Sequence, residues 1–369
     1  MPQTLITPHP PQPLSVKEQR KAMPSPPTGP IVVSAVDPTS PRWDALLERF
    51  ADYTIFHTSA WLSIVQASHG VKPVCAMAEV GGQGGECIGV WPYLEKRKGP
   101  FRAIGSPLPG WSTAYMGPLI AEHVDVPATI KAFLDHSLFR RYAYFACRTL
   151  VHRHDVDLAP FGFDLLTKFE TYWIELNRSE EELWDGLKSE CRSRVRKAEK
   201  LGVEVRRETD GAFLEDFWKM SEETFAKSHI QPTHTREFCV QTWRRLAPLN
   251  RLHVLSAFVE GRRAATLMLP FDTHTMYYWG GASFQEFREI PVNNLLHWQA
   301  IRDAKAMGLV RYDFVSSEGG PGRFKKTFGP KPVDLARHWE RSPSRLMKAL
   351  KNRYQAYLMK KRRVETPSE

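Results

Sequence analysis

Two kinds of apolar spacing alternate along this chain, and their order predicts its architecture. Residues 74–78 and 87–91 are short apolar runs around a glycine-rich turn (Gly81, Gly82, Gly84, Gly85), which reads as a β-hairpin. Residues 254–258 and 264–269 flank Gly261 and read as a second hairpin. Each hairpin is followed by a helical pattern, about 127–140 and 292–307, and then by a strand, 142–145 and 311–315. The shared order suggests duplication of one supersecondary unit. The second copy opens with helices. Ser179 and Glu182 are spaced as a capping box, and Leu183, Trp184, Leu187, Cys191, Val195 and Ala198 continue one helical face as far as Gly202. Asp210 caps a further helix with Leu214, Phe217, Trp218, Ser221 and Phe225 on one side. The sum is an α/β chain, or α+β with mixed sheets, whose sheets carry helices on both faces.

The ends depart from this pattern. Residues 1–30 are proline-rich with almost no apolar periodicity and read as a disordered leader, so structure is expected from Ile31-Val32-Val33 onward. The duplication divides the remainder into units of 31–170 and 171–340. Residues 341–369 form a basic tail. Between 341 and 363 it carries nine Lys or Arg and no acid, with Leu346, Leu350, Tyr354, Tyr357 and Leu358 at helical spacing. Such a basic amphipathic helix suits peripheral contact with an anionic membrane.

Composition narrows the class. A length of 369 residues accommodates two domains. The five cysteines (Cys75, Cys87, Cys147, Cys191, Cys239) are odd in number, scattered and without a C-x-x-C pair. That argues against a disulfide framework or a zinc site and for free thiols in a reducing compartment. No run of about 18 apolar residues occurs, so no transmembrane helix is expected. The N-terminal residues do not resemble a secretory signal, and the expected location is cytoplasmic. The net charge of +10 favours a polyanionic partner: nucleic acid, an anionic membrane or a phosphorylated substrate.

Three constellations carry candidate chemistry. The helix after Leu187 presents Lys188, Arg192, Arg194, Arg196, Lys197 and Lys200, and guanidinium forks such as those of Arg192 and Arg196 suit phosphate. A nucleic-acid-binding module for tRNA or duplex, without catalysis, has the same look. The second constellation is a strand over Met276-Tyr277-Tyr278-Trp279-Gly280 that leads to a helix opening at Pro291. There Asn293 and Asn294 add amides to the free N–H groups of a helix start. The third is a glycine-rich loop over 318–329, directly after the strand that carries Asp313. Its Arg323, Phe324 and Lys325 offer a cation for a phosphate or an oxyanion and an aromatic wall. There is no G-x-S-x-G, H-E-x-x-H, Walker-type or G-x-G-x-x-G motif, and the histidines, His152 and His154 included, lack metal-ligand spacing.

These residues also carry a resemblance. Arg192, Arg196-Lys197-Ala198 and Gly202-Val203 resemble a helix of the FemAB/FemX-like peptidyltransferases and related GNAT-like acyltransferases. Pro291, Asn293, Leu295-Leu296-His297-Trp298, Ala300-Ile301 and Ala304, followed by Gly308 and Tyr312-Asp313-Phe314, resemble a second block of that family. Gly322, Phe324-Lys325 and Phe328-Gly329 resemble a third, and Phe56-His57-Thr58-Ser59-Ala60-Trp61 with Gly117-Pro118 a fourth. The resemblance spans residues from about 50 to 330. It implies tandem GNAT-like domains that transfer an acyl or aminoacyl group to an amine on a small-molecule or lipid-linked acceptor, in cell-wall or surface-polysaccharide biosynthesis. It implies no tightly bound cofactor, with acyl-CoA or aminoacyl-tRNA as co-substrate. The family's functional Phe-Lys pair falls on Phe324 and Lys325, with Asp313 as base or structural anchor. Arg288-Glu289-Ile290-Pro291 stands where acetyl-CoA enzymes have a glycine-rich pyrophosphate turn, and no heptad arm interrupts the second unit. The donor therefore stays open between CoA and tRNA.

Overall fold

The computed structural model describes residues 29–110, 112–151, 156–226, 234–317, 319–344, 346–349 and 353. The leader up to residue 28, His152, His154 and most of the basic tail, Leu350, Tyr354, Tyr357 and Leu358 among them, lie outside the described residues.

The first half opens with β1 (Ile31–Val36), α1 (Pro41–Leu47) and α2 (Ser59–His69). Thr58 caps α2 by accepting from the Trp61 N–H, and Gly70 ends it in the left-handed conformation. β2 (Lys72–Val80), β3 (Glu86–Lys98) and β4 (Phe101–Ser106) form an antiparallel meander, to which β5 (Leu119–Ile120) adds at β3. α3 (Val126–Asp135) crosses over to β6 (Tyr144–Leu150), which runs parallel to β4, and β7 (Asp164–Glu175) follows. The second half begins with α4 (Glu180–Gly186), α5 (Ser189–Lys200), β8 (Glu204–Arg207), α6 (Phe213–Ala226) and α7 (Arg236–Leu246). The hairpin of β9 (Leu252–Val259) and β10 (Arg262–Pro270) leads to β11 (Thr275–Tyr277) and β12 (Gly280–Ser283). α8 (Val292–Ala306), β13 (Arg311–Asp313), α9 (Gly319–Lys326) and β14 (Lys331–Arg341) complete it.

Strand pairing joins the halves. One sheet runs β1-β2-β3-β4-β6-β14-β7-β13-β11, and a smaller one runs β12-β10-β9-β8. β14, the last strand, lies between β6 and β7, where Trp339 Nε1 donates to Thr149 Oγ1 at 2.9 Å. The end of the second unit thus completes the sheet of the first, and β7 runs continuously through residues 170 and 171.

Both expected hairpins form, and the Ser179–Glu182 capping box closes in both directions at 3.1 and 2.7 Å. Three expectations need correction. The single helix through Leu187 is two, α4 and α5, broken at Leu187-Lys188. The break frees the Lys188 N–H to donate to Thr327 O at 2.9 Å and lets the 327–329 turn dock on Gly186. The glycine-rich segment after Glu318 is not a loop but the helix α9, which Phe324 and Phe328 anchor against His297 at 5.5 and 5.4 Å. Gly322 is required inside it, because a Cβ would sit 2.3 Å from Ser317 O. The strand expected through Gly280 breaks at Tyr278-Trp279, so that β11 and β12 belong to different sheets.

Gly329 sits at the docked turn with φ 67°, and a Cβ there would meet Gly186 O at 2.0 Å. Both facts penalise a side chain. Gly329→Ala should cost about 2–3 kcal/mol, read as a lower midpoint in thermal or denaturant unfolding. An unchanged midpoint would show that α9 is not held by this turn.

Candidate active site

The break between β11 and β12 creates the site. β11 pairs in parallel with β13 up to Tyr277↔Asp313, and one more rung follows, Tyr278 N to Asp313 O at 2.8 Å. Beyond it the partners part. β12 pairs with β10, while Phe314 N and Ser317 N follow β7 by donating to Tyr172 O and Glu170 O at 3.0 and 3.1 Å. Two parallel strands therefore diverge at Tyr278 and Phe314, and the Phe314 and Ser316 carbonyls accept from a side chain, Lys325, in the gap. Val315, a β-branched residue, holds φ 63° at this point. Such strain costs of order 1–3 kcal/mol and clusters at functional sites.

Lys325 reaches into the divergence from α9. Its Nζ donates to Phe314 O at 2.9 Å and to Ser316 O at 3.1 Å, and lies 5.5 Å from the centre of the Tyr278 ring. The side chain is buried, and burial pushes its pKa down to about 8, against the opposing pull of the Asp313 carboxylate. Aromatic and imidazole groups wall one side. His297 on α8 is buried, accepts or donates through Nδ1 with the Tyr312 hydroxyl at 2.8 Å, and crosses the Tyr278 ring edge-on at 4.4 Å. Burial first and the Lys325 charge second lower its pKa to about 3, so the imidazole is neutral at physiological pH. Burial lifts the Tyr278 phenol to about 12.

Asp313 lies at the base of the gap, 1% exposed. Its Oδ1 accepts from Thr171 Oγ1 at 2.5 Å and from Val315 N at 2.7 Å. Burial raises its pKa, and these hydrogen bonds oppose the rise. On the side facing the first half, Asp313 lines a cavity of about 30 Å³ together with Tyr115, Trp173, Tyr277, Tyr53 and His274.

A buried amine opposite a buried carboxylate, at the mouth of two diverging parallel strands, is an arrangement for stabilising charge in a transition state. Residues 186–326, which contain all of it except Thr171 and the first-half wall of the cavity, match the acetyltransferase (GNAT) domain family. Residues 186–326 are thus a GNAT-type acyltransferase domain, set in a chain of Fem-type fold. In fold the chain is similar to FemX (TM-score 0.69, 15% identity, 86% of this chain and 99% of that one). It is also similar to L-PGS from Bacillus licheniformis (TM-score 0.52, 12% identity, 84% and 93%). A third is a tandem GNAT protein from the clavulanic acid biosynthesis pathway (TM-score 0.51, 10% identity, 85% and 100%). No curated protein matches the acyltransferase in sequence.

The structure gathers only part of the set named from sequence. Lys325, Asp313, Tyr278 and Phe324 converge at the divergence, Phe324 through its contact with His297. Arg323 is exposed on α9, two residues before the lysine. Asn293 is half-buried and ties the start of α8 to β12 through Ser283 Oγ at 3.5 Å. Asn294 is buried with its amide on Cys191 Sγ at 3.5 Å, away from the Lys325 contacts. Trp279 is likewise corrected: 6% exposed, it stacks on His234 at 3.9 Å and donates Nε1 to Ser112 O at 2.8 Å, which binds the halves together. Arg192 donates to Asp185 O at 2.9 Å and to Leu187 O, closing the open end of α4. Arg196 lies over Trp184 at 5.3 Å. Neither arginine hydrogen-bonds to the Lys325 group.

Sequence reasoning missed Thr171, Tyr115 and the role of His297. His297 stood inside a quoted block with its helical phase toward the core, which was the available signal. Thr171 and Tyr115 come from elsewhere in the chain and meet Asp313 only through the sheet pairing. The five cysteines are free and buried.

Proposed function

We propose that the acyltransferase joins an activated acyl or aminoacyl group, carried as a thioester or ester, to an amine at the divergence of β11/β12 from β13. The observation that carries this reading is Lys325, a buried ammonium held by two backbone carbonyls in the gap. As the amine attacks, negative charge grows on the donor's carbonyl oxygen, and a desolvated cation in place lowers that barrier. Asp313 accepts the proton that the nitrogen loses. Phe324, Tyr278 and His297 keep water from the gap. The N-terminal turn of α8, beside β12, supplies N–H groups for an anionic part of the donor, with Asn293 at its rim. Arg323 adds a cation at the exposed edge of α9.

The resemblance to Fem-type peptidyltransferases supports an acceptor from cell-wall or surface-polysaccharide biosynthesis, small or lipid-linked, and a cytoplasmic reaction. Among the described residues no helix is long and apolar enough to cross a membrane. A binding module without catalysis draws less support, because Arg192 and Arg196 are engaged within the fold.

The full chain should form a new amide when offered radiolabelled acyl-CoA thioesters and aminoacyl-tRNAs with a panel of amino sugars and peptidoglycan-precursor amines. Product is scored by chromatography and mass. Transfer from one donor class, saturating in donor, is expected. Tight binding of RNA with no amide formed from any donor would remove this reading.

A further inference from the structure

Making an amide leaves a proton to dispose of, and the structure shows where it can go. At neutral pH an amine acceptor arrives as an ammonium ion. As its nitrogen bonds to the acyl carbon and the donor's C–S or C–O bond breaks, the nitrogen gives up two protons. One goes to the leaving thiol or hydroxyl, and the other must reach solvent. Lys325 cannot take it in the state that stabilises the oxyanion, because that state is already an ammonium. Asp313 can, and its position across the seam is specific.

The Asp313 side chain meets groups from both halves. Thr171 on β7 donates to it, and Trp173 on β7 and Tyr115 from the segment between β4 and β5 line the cavity beside it, the buried Tyr115 hydroxyl without a hydrogen-bond partner of its own among the described residues. Tyr277, the other phenol nearby, is committed to Asp272 at 2.6 Å. The other charged groups around the cluster are Lys325 on the gap side, Arg148 behind Tyr115, Asp52 and Arg311 on the cavity wall, and the Asp272 carboxylate held by Tyr277. The cavity next to Asp313, about 30 Å³, has room for a water, with the carboxylate and the Tyr115 phenol set in largely apolar walls. Its outer wall is formed by the half-buried Tyr53 and Arg311 and the exposed His274. A carboxylate at the floor and solvent-reaching groups in the outer wall make a short path out of the protein.

We propose that the proton released in amide formation leaves through Asp313 and this seam cavity, with Tyr115 of the first half as the residue that positions the carboxylate. The proposal rests on the acyl-transfer reading above. It gives the first half a task in the chemistry of the second and explains why the catalytic domain is fused to another. Thr171 holds Oδ1, and Tyr115 steadies the carboxylate toward the cavity. The Tyr115 hydroxyl lines the cavity beside the carboxylate with no hydrogen-bond partner of its own among the described residues, and removing it takes a dipole that favours the charged form, so the carboxylate should protonate at higher pH.

Two measurements on the full chain test this. In Tyr115→Phe, kcat should fall on the order of tenfold, with the donor KM unchanged and the acidic limb of the kcat–pH profile moved to higher pH. Asp313→Asn should abolish that limb, and Tyr115→Phe should cost nothing further in the Asp313→Asn background. Additive losses, or an acidic limb unmoved in Tyr115→Phe, would overturn the proposal. Independently of turnover, the ¹³C carboxyl resonance of Asp313 should titrate at higher pH in Tyr115→Phe than in the parent chain. An identical titration overturns the proposal whether or not turnover is seen. A parent chain that transfers nothing, while Asp313 does respond to Tyr115→Phe, sinks the acyl-transfer reading itself and the proton exit with it.

Discussion

Lys325→Ala should lower kcat by about 10²–10³-fold while the chain stays folded. The ammonium is positioned in the gap between Tyr278 and Phe314, where it reaches the carbonyls of Phe314 and Ser316. Its loss removes charge stabilisation from the transition state, so the donor KM should change far less than kcat. The pH dependence carries a sign. With a pKa of about 8, the active ammonium is lost as pH rises through 8, so the parent rate should fall above that pH. The variant should lack this basic limb. Stability moves the other way. An unfolded lysine keeps its proton up to about 10.5, whereas the folded one releases it near 8. The unfolded chain therefore binds more protons between these values, and stability should rise with pH across that window. Lys325→Ala should flatten the rise. A variant with unchanged kcat, or a parent profile with no basic limb near 8, would take Lys325 out of the mechanism.

The second large effect is on folding. Trp61→Ala should cost about 3–5 kcal/mol. Trp61 is fully buried in the seam, with Phe56 from its own half at 4.7 Å and Phe238 and Trp279 from the other at 5.8 Å each. Its Nε1 donates to Thr113 Oγ1 at 3.0 Å, an acceptor partner that truncation would leave unmatched. Because β14 lies between β6 and β7 and this aromatic cluster spans both halves, unfolding should be one cooperative transition in parent and variant alike. Chemical denaturation followed by tryptophan fluorescence and by far-UV circular dichroism reads this. Two separated transitions, with only the first half weakened, would show that the halves are energetically independent.

What the sequence disclosed and what it hid follow from the range of the interactions. The two hairpins, the capping box and the helix after Pro291 rest on contacts a few residues apart, and local spacing specifies them. The Phe324-Lys325 pair is legible because four short blocks keep the family's order. The helix break at Leu187-Lys188 was not, because its cause is Thr327, far along the chain. The same holds for β14. Nothing in its own residues states that it inserts between β6 and β7 rather than closing the sheet of its own half. α9 was read as a loop because glycine and proline argue against helix locally, while the deciding contribution is the packing of Phe324 and Phe328 on His297. Trp279 and Asn294 were chosen for their chemistry, and burial, invisible in one sequence, reassigns them to packing. The carboxylate of Asp313 was visible, but its partners Thr171 and Tyr115 are 142 residues away in one case and in the other half in the second.

The central claim is that the acyl group is transferred in the gap of the second half, beside the Lys325 ammonium. A structure of the chain with a hydrolysis-resistant analogue of the competent donor tests this most directly. The account predicts the analogue's chain between β12 and the segment after β13, with its carbonyl oxygen within hydrogen-bond distance of Lys325 Nζ. An analogue bound elsewhere, with Lys325 still closed on Phe314 and Ser316 and remote from the carbonyl, would contradict it.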